Sequence, residues 1–226
     1  MAPRGLFVTG TDTGVGKSLI ACALLHAYAA CGLRVLGMKP VAAGAELKDG
    51  VWINEDVEAL YAASNIEAPS EWINPYCFEP PIAPHIASEE AGKPITINHI
   101  HAAYRELAAL ADRVVVEGAG GFCVPLNARE TSADLARELA LPVVLVVGMR
   151  LGCLNHALLT AEAIRSRGLR LAGWVANHID AAMPRADENV AALQSRLAAP
   201  LLARIAPQAT PDVTATARLL NLDALR

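Results

Sequence analysis

The stretch Gly10-Thr11-Asp12-Thr13-Gly14-Val15-Gly16-Lys17-Ser18 decides how the rest of the chain is read. It follows the apolar run Leu6-Phe7-Val8-Thr9 and leads directly into apolar residues at helical spacing, so a strand, a glycine-bearing turn and a helix start come in that order. That order is what a phosphate cradle needs. Glycines let main-chain N–H groups approach phosphate oxygens, Lys17 supplies a point charge, and the Ser18 hydroxyl can ligate Mg²⁺. Thr11 stands where the G-x-x-x-x-G-K-[ST] pattern has its first glycine, and Gly10 lies one step earlier. The plainer reading of these residues is an ordinary glycine-rich turn. Gly16-Lys17-Ser18 falls at a helix N-terminus, where the macrodipole favours anions, and this points to a nucleoside triphosphate site.

The remaining composition suits a large apolar core. Of 226 residues, 54% are hydrophobic but only 4% aromatic, so the core is built from Ala, Leu, Val and Ile, as in parallel sheets covered by helices. A net charge of −4 gives no general attraction for nucleic acid or anionic membrane, and neither is expected as a partner. The five cysteines (Cys22, Cys31, Cys77, Cys123 and Cys153) form no C-x-x-C pair. Met1-Ala2-Pro3-Arg4 runs straight into the first strand, no secretory signal is evident, and no apolar run is long enough to cross a bilayer. Reduced thiols and a cytoplasmic location follow as expectations.

Along the chain, helical spacing predicts helices over 19–31 (closed by Gly32), 54–63, 97–111, 131–140, 154–168, 184–197 and 213–220. Buried strands are expected over 34–40, 113–121, 142–148, 170–177 and 201–205. This alternation implies a mostly parallel sheet wound with helices on both faces, as one domain over 1–226. Between 64 and 94 the pattern dissolves into a segment with Pro69, Pro75, Pro80, Pro81 and Pro84, long for a connection and fit to wall a pocket.

Open parallel sheets bind ligands at the carboxyl ends of their strands. The polar residues expected there are Thr11 to Ser18, Lys39, Glu117 and Asn177, with Asp56 just beyond the second strand. Two acids, two lysines, a hydroxyl and an amide make the inventory of a Mg²⁺-nucleotide site. Glu117 could instead be a solvated strand end, although a carboxylate after a buried valine run is costly without a role. Asp56 could be a plain acid at a helix start.

Taken with Thr9 to Ser18, the motifs Gly37-Met38-Lys39-Pro40-Val41, Asn74-Pro75-Tyr76, Pro84-His85-Ile86, Val116-Glu117-Gly118-Ala119-Gly120-Gly121, Leu151-Gly152-Cys153-Leu154-Asn155-His156 and Gly173-Trp174-Val175-Ala176-Asn177 resemble the dethiobiotin synthase family. The match runs in order from Phe7 to about Ile205. It implies a sheet of the P-loop NTPase type and an ATP- and Mg²⁺-dependent closure of 7,8-diaminononanoate and CO₂ to a cyclic urea, through a carbamate and its phosphoric anhydride. It further implies that Thr13, Gly14, Val15, Gly16, Lys17 and Ser18 hold phosphates, with Gly118, Ala119 and Gly120 alongside. Ser18, Asp56 and Glu117 would bind the metal, and Asn177 and His178 the base. Lys39 and Lys17 would be catalytic, with Thr11, Lys39 and Ala43 on the substrate. The substrate carboxylate would be held by Gly152, Cys153, Leu154 and Asn155 of a partner subunit, which implies a homodimer.

Three positions depart from the family pattern. Ala43 replaces a hydroxyl residue, Gly14 a glutamate found in some members, and His178 a familiar aspartate. His99 and His101 are two apart near a helix start and so face different sides, which argues against joint ligation. His85 and His156 lie in resemblance motifs without an assigned proton role, and Cys153 reads as a packed residue. A partition-type ATPase switch would share the sheet, but such proteins carry a signature lysine where this chain has Asp12. A corrinoid-amidating ligase would need a glutaminase domain that these residues do not contain.

Overall fold

The computed structural model describes residues 5–48 and 50–225, so the reading of Met1 to Arg4 lies outside the described residues. In chain order the elements are β1 (Gly5–Gly10), α1 (Lys17–Ala30), β2 (Val35–Met38), β3 (Val41–Ala43), β4 (Glu46–Lys48), β5 (Val51–Ile53), α2 (Glu55–Ala63) and α3 (Ser70–Ile73). They continue with β6 (Tyr76–Phe78), α4 (Pro84–Glu90), α5 (Ile97–Leu110), β7 (Arg113–Gly121), α6 (Ser132–Leu139), β8 (Val143–Gly148) and α7 (Cys153–Ser166). Last come β9 (Leu171–Asn177), α8 (Ala186–Gln194), β10 (Leu201–Ile205), α9 (Val213–Leu219) and a 3₁₀ turn, Leu222–Leu225.

Six strands form one parallel sheet in the order β10-β9-β8-β1-β7-β2. Strand alternation divides their side chains between two apolar layers. Leu6, Val8, Val115, Val144, Val146 and Val175 pack with α1, α2 and α9, whereas Phe7, Val114, Val116, Leu145, Val147 and Trp174 pack with α5 to α8. Both faces are therefore covered, which is why these strands read as continuous apolar runs. Close packing also selects residue size. A Cβ on Gly37 would meet the Leu60 Cβ at 2.8 Å, so the glycine lets α2 lie directly on β2.

The strand order reverses at β1. The chain moves from β1 outward to β2, returns to fill the gap with β7, and then crosses to β8 on the other side of β1. Such a switch point opens a crevice at the strands' carboxyl ends, and the 10–18 turn emerges there.

The expected helices and strands are present with ends shifted by a few residues, while 64–94 is more structured than expected. It contains α3, β6 and α4, and β6 pairs in parallel with β3. The antiparallel pair β4–β5 is a further element that periodicity did not reveal. Three-residue strands are too short to display a period, and α4 starts at Pro84, where proline fits the first helical turn.

Candidate active site

Strand alternation sets the site. Val115 packs toward α1, so Glu117, two residues on, points to that same face midway along β7. Gly37 faces Leu60 and Leu25, and Lys39 follows it in the same sense. The Lys39 backbone is pinned on both sides: its N–H donates to the Ile73 carbonyl at 2.8 Å, and Asn74 Nδ2 donates to its carbonyl at 2.6 Å. Asp56 is placed by the cap of α2. Asn54 Oδ1 accepts from the N–H groups of Asp56 and Val57, while its Nδ2 donates to the Ala43 carbonyl at 3.1 Å.

These side chains converge. Lys39 Nζ lies 2.6 Å from Asp56 Oδ2 and 2.6 Å from Glu117 Oε1. Ser18 Oγ lies 2.6 Å from Asp56 Oδ1 and 2.8 Å from Glu117 Oε1. Lys39 is 4% exposed and Glu117 0%, and Glu117 Oε2 is a buried oxygen with no partner. Lys17, also buried, donates to the Asp12 carbonyl at 3.1 Å. Both lysines line one cavity of about 750 Å³ with Thr13, Gly14, Gly16, Ser18, Ala43, Asp56, Glu117, Ala119, Gly120 and residues 81–84. The proline-rich segment thus supplies one wall.

The charges perturb one another. Burial, followed by the Lys39 charge, holds the Lys17 ammonium below the ordinary lysine range. Burial alone would lower Lys39 too, but Glu117 and Asp56 outweigh it and raise its pKa. For Asp56, burial is outweighed by the Lys39 charge and by hydrogen bonds from Lys39 and Ser18, and the carboxyl sits low. Glu117 is raised because its complete burial exceeds the pull of Lys39.

A hydroxyl and two carboxylates facing one point, with an unpartnered carboxylate oxygen beside them, are the hard oxygen donors that Mg²⁺ prefers. The residues fit that ion. Among the described residues no group of three or more His, Cys, Asp or Glu offers a richer set, and His99 meets the Tyr76 ring edge-on.

A second cavity, of about 550 Å³, shares Gly14 and Gly16 with the first and adds Leu19, Asn177, His178, Ile179, Pro207 and Gln208. Asn177 Nδ2 donates to the Val15 carbonyl at 2.9 Å. A carbonyl only accepts, so the nitrogen faces it; one of its two N–H bonds is spent on the phosphate turn, and the other N–H and Oδ1 remain available. Gly16 at φ 90° passes so close that a Cβ there would lie 2.3 Å from this nitrogen.

Other named residues lie outside the two cavities. Thr11 Oγ1 accepts from the Gly148 N–H at 3.4 Å, Val15 is buried, and Gly118 turns toward the Phe7 ring. Gly152 to Asn155 border neither cavity of their own chain, and Leu151 beside them is 90% exposed. Sequence reasoning passed over Arg150, which is paired with the Asp12 carboxylate, and Gln208 in the second cavity. Arg150 closely follows the end of β8, so inspecting every strand end would have found it. A larger cavity, about 880 Å³, lies at the amino ends of the strands, far from these groups, so volume alone does not select the site.

Comparison with known proteins agrees with this geometry. Residues 4–215 match the AAA domain family. The chain is 57% identical over 220 residues to the ATP-dependent dethiobiotin synthetase BioD of Aromatoleum aromaticum, covering 97% of this chain and 98% of the relative. It is 56% identical to the protein of that name from Nitrosospira multiformis, covering 97% and 95%. Among solved structures, the septum site-determining protein MinD of Pyrococcus horikoshii, complexed with Mg-ADP, aligns with TM-score 0.57 at 19% identity, covering 92% of this chain and 82% of that one. A ParA family ATPase from Chlorobium tepidum aligns with TM-score 0.55 at 15% identity, covering 96% and 89%. At such identities these structures establish the P-loop NTPase fold and nothing finer. Near-complete coverage at 56–57% identity, on a chain whose cradle, lysines and carboxylates meet in one cavity, carries the assignment: the chain belongs to the ATP-dependent dethiobiotin synthetase family.

Proposed function

We propose that the protein, acting as one domain over 1–226, closes 7,8-diaminononanoate and CO₂ to dethiobiotin in the cytoplasm at the expense of ATP. One amine attacks CO₂ and loses a proton, giving a carbamate. A carbamate oxygen attacks the γ-phosphorus and ADP leaves. The second amine then attacks the carbamoyl carbon, phosphate leaves, a proton is lost, and the cyclic urea is complete. The observation that carries this reading is the meeting of Lys17, Lys39, Asp56 and Glu117 on one cavity beside the phosphate turn.

Each step brings anions together, and the residues answer that repulsion. Main-chain N–H groups of 13–18 cradle the phosphates at the start of α1, with Ala119 and Gly120 on the opposite wall. Lys17 offsets charge on the transferring phosphoryl group, and Lys39 holds the carbamate oxygen against it. Ser18, Asp56 and Glu117 hold Mg²⁺, which supplies Lewis-acid stabilisation of phosphate charge when bound. Asn177 and His178 border the base. Ala43 lines the cavity without a hydroxyl, so the substrate loses a contact there, and Gly14 leaves open space where some relatives place an acid. Gly152, Cys153, Leu154 and Asn155 serve the partner's site in a homodimer. Their distance from both cavities of their own chain and the exposure of Leu151 and Leu159 support this.

In the test, K39A loses dethiobiotin formation by at least about 100-fold while ATP binding is retained. Normal turnover in K39A removes the mechanism. No helix among the described residues is long and apolar enough to cross a membrane.

A further inference from the structure

The cation position formed by Ser18, Asp56 and Glu117 already holds a positive charge. Lys39 Nζ sits between the two carboxylates, 2.6 Å from an oxygen of each, and Glu117 Oε1 accepts from both Lys39 and Ser18. Lys39 is 4% exposed, so its charge is screened little by solvent. A divalent ion ligated by the same oxygens would stand within a few ångströms of that ammonium, and two cations that close in a buried site repel strongly. The resting arrangement is also incomplete. One ammonium serves two carboxylates, and Glu117 Oε2 is left without any partner. Asp56, with a side chain 41% exposed, leaves an approach for a second cation.

We infer that Lys39 is the resting counter-ion of the metal site, and that the metal arriving with its nucleotide displaces the Lys39 ammonium into the cavity, where the carbamate needs it. This rests on the assignment of Ser18, Asp56 and Glu117 as metal ligands. The displaced ammonium has a place to go, because Lys39 lines the same cavity as Lys17 and Ala43. Its backbone stays fixed by Ile73 and Asn74, so the change is confined to a flexible side chain. The consequence is an order of events. An unloaded site keeps Lys39 sequestered and captures carbamate poorly, and a loaded site presents it beside the phosphoryl group. A single lysine thereby stabilises two buried acids in one state and recognises an anionic substrate in the next.

The inference predicts antagonism between Lys39 and the metal that is visible without turnover. In Mn²⁺ titrations of the full chain followed by electron paramagnetic resonance without nucleotide, K39M and K39Q bind Mn²⁺ at least about tenfold more tightly than wild type. K39R, which keeps the charge, stays close to wild type. Mn²⁺ also raises the melting temperature of K39M more than that of wild type, since in the variant buried Glu117 and half-buried Asp56 have lost their cation. Equal or weaker Mn²⁺ binding by both K39M and K39Q overturns the inference. Mn²⁺–ATP titrations of S18A and E117Q separate the two readings. If they lose binding while the Lys39 variants bind as wild type, the counter-ion role alone falls. If neither loses it, the ligand assignment falls and the counter-ion role with it.

Discussion

Asn177 carries a selectivity that follows from where its two amide atoms are spent. The Val15 carbonyl at 2.9 Å takes one N–H of the nitrogen, which leaves the second N–H and the oxygen to meet a base in the adjoining cavity. Adenine offers a matching pair, its N6 amine as donor and N7 as acceptor, whereas guanine offers two acceptors, O6 and N7. ATP should therefore support phosphate release, with GTP lower in kcat/KM by about 10- to 100-fold, the cost of one unmade buried hydrogen bond. Equal kcat/KM for ATP and GTP would show that Asn177 does not read the base. That a polar residue ends this strand is legible from the apolar run before it. That one of its two donors is already engaged depends on the close passage of Gly16, which lies 161 positions earlier in the chain and leaves no local trace. Lys39 was legible for the same reason as Asn177, because it sits just past the end of a strand, Asp56 because it opens a helix, and Glu117 because a carboxylate interrupts a buried apolar run. Their mutual contacts required the sheet order, which puts β7 between β1 and β2.

At the scale of one element, α6 is fastened by a reciprocal cap. Thr131 accepts from the Asp134 N–H, and Asp134 Oδ2 accepts from the Thr131 N–H at 2.9 Å, with Arg167 paired to the same carboxylate. Partial burial would raise the Asp134 pKa, but the Thr131 hydrogen bonds and Arg167 outweigh it and hold the carboxyl below its ordinary value. A folded-state pKa below the unfolded one, about 3.9, means the stabilisation is present at neutral pH and lost as pH falls through the folded value. D134A should lower stability at pH 7 by about 1–2 kcal/mol, and its difference in melting temperature from wild type should close as pH falls below the ordinary carboxylate range. A difference that persists unchanged at that pH would place the loss in packing. The Thr-x-x-Asp spacing was readable in advance. The β4–β5 hairpin was equally readable, because an Asp-Gly dipeptide at 49–50 is a strong turn signal between two short extended runs, but three-residue strands display no period to draw attention to it.

At the scale of the whole molecule, the active site proposed here is split between subunits. Lys39 belongs to the cavity of its own chain, whereas Gly152 to Asn155 do not line it. K39A and N155A should each be nearly inactive alone. When the two are unfolded, mixed and refolded together, about half of the dimers are hybrids with one intact site, so activity returns to about a quarter of wild type. No recovery on mixing would place both groups in one site within one chain. The parallel, doubly covered sheet was the most legible feature of all, because unbroken runs such as Val143 to Val147 have few other uses. The proposed subunit arrangement comes through resemblance, with the exposure of Leu151 as its support in this chain. The central claim is that cationic groups at one rim of this sheet join a carbamate to the γ-phosphate of ATP. Phosphate release, followed while diaminononanoate, bicarbonate and ATP are each left out in turn, tests it most directly. Phosphate should be released only when all three are present, and steady release without the diamine would refute a carbamate as the phosphoryl acceptor.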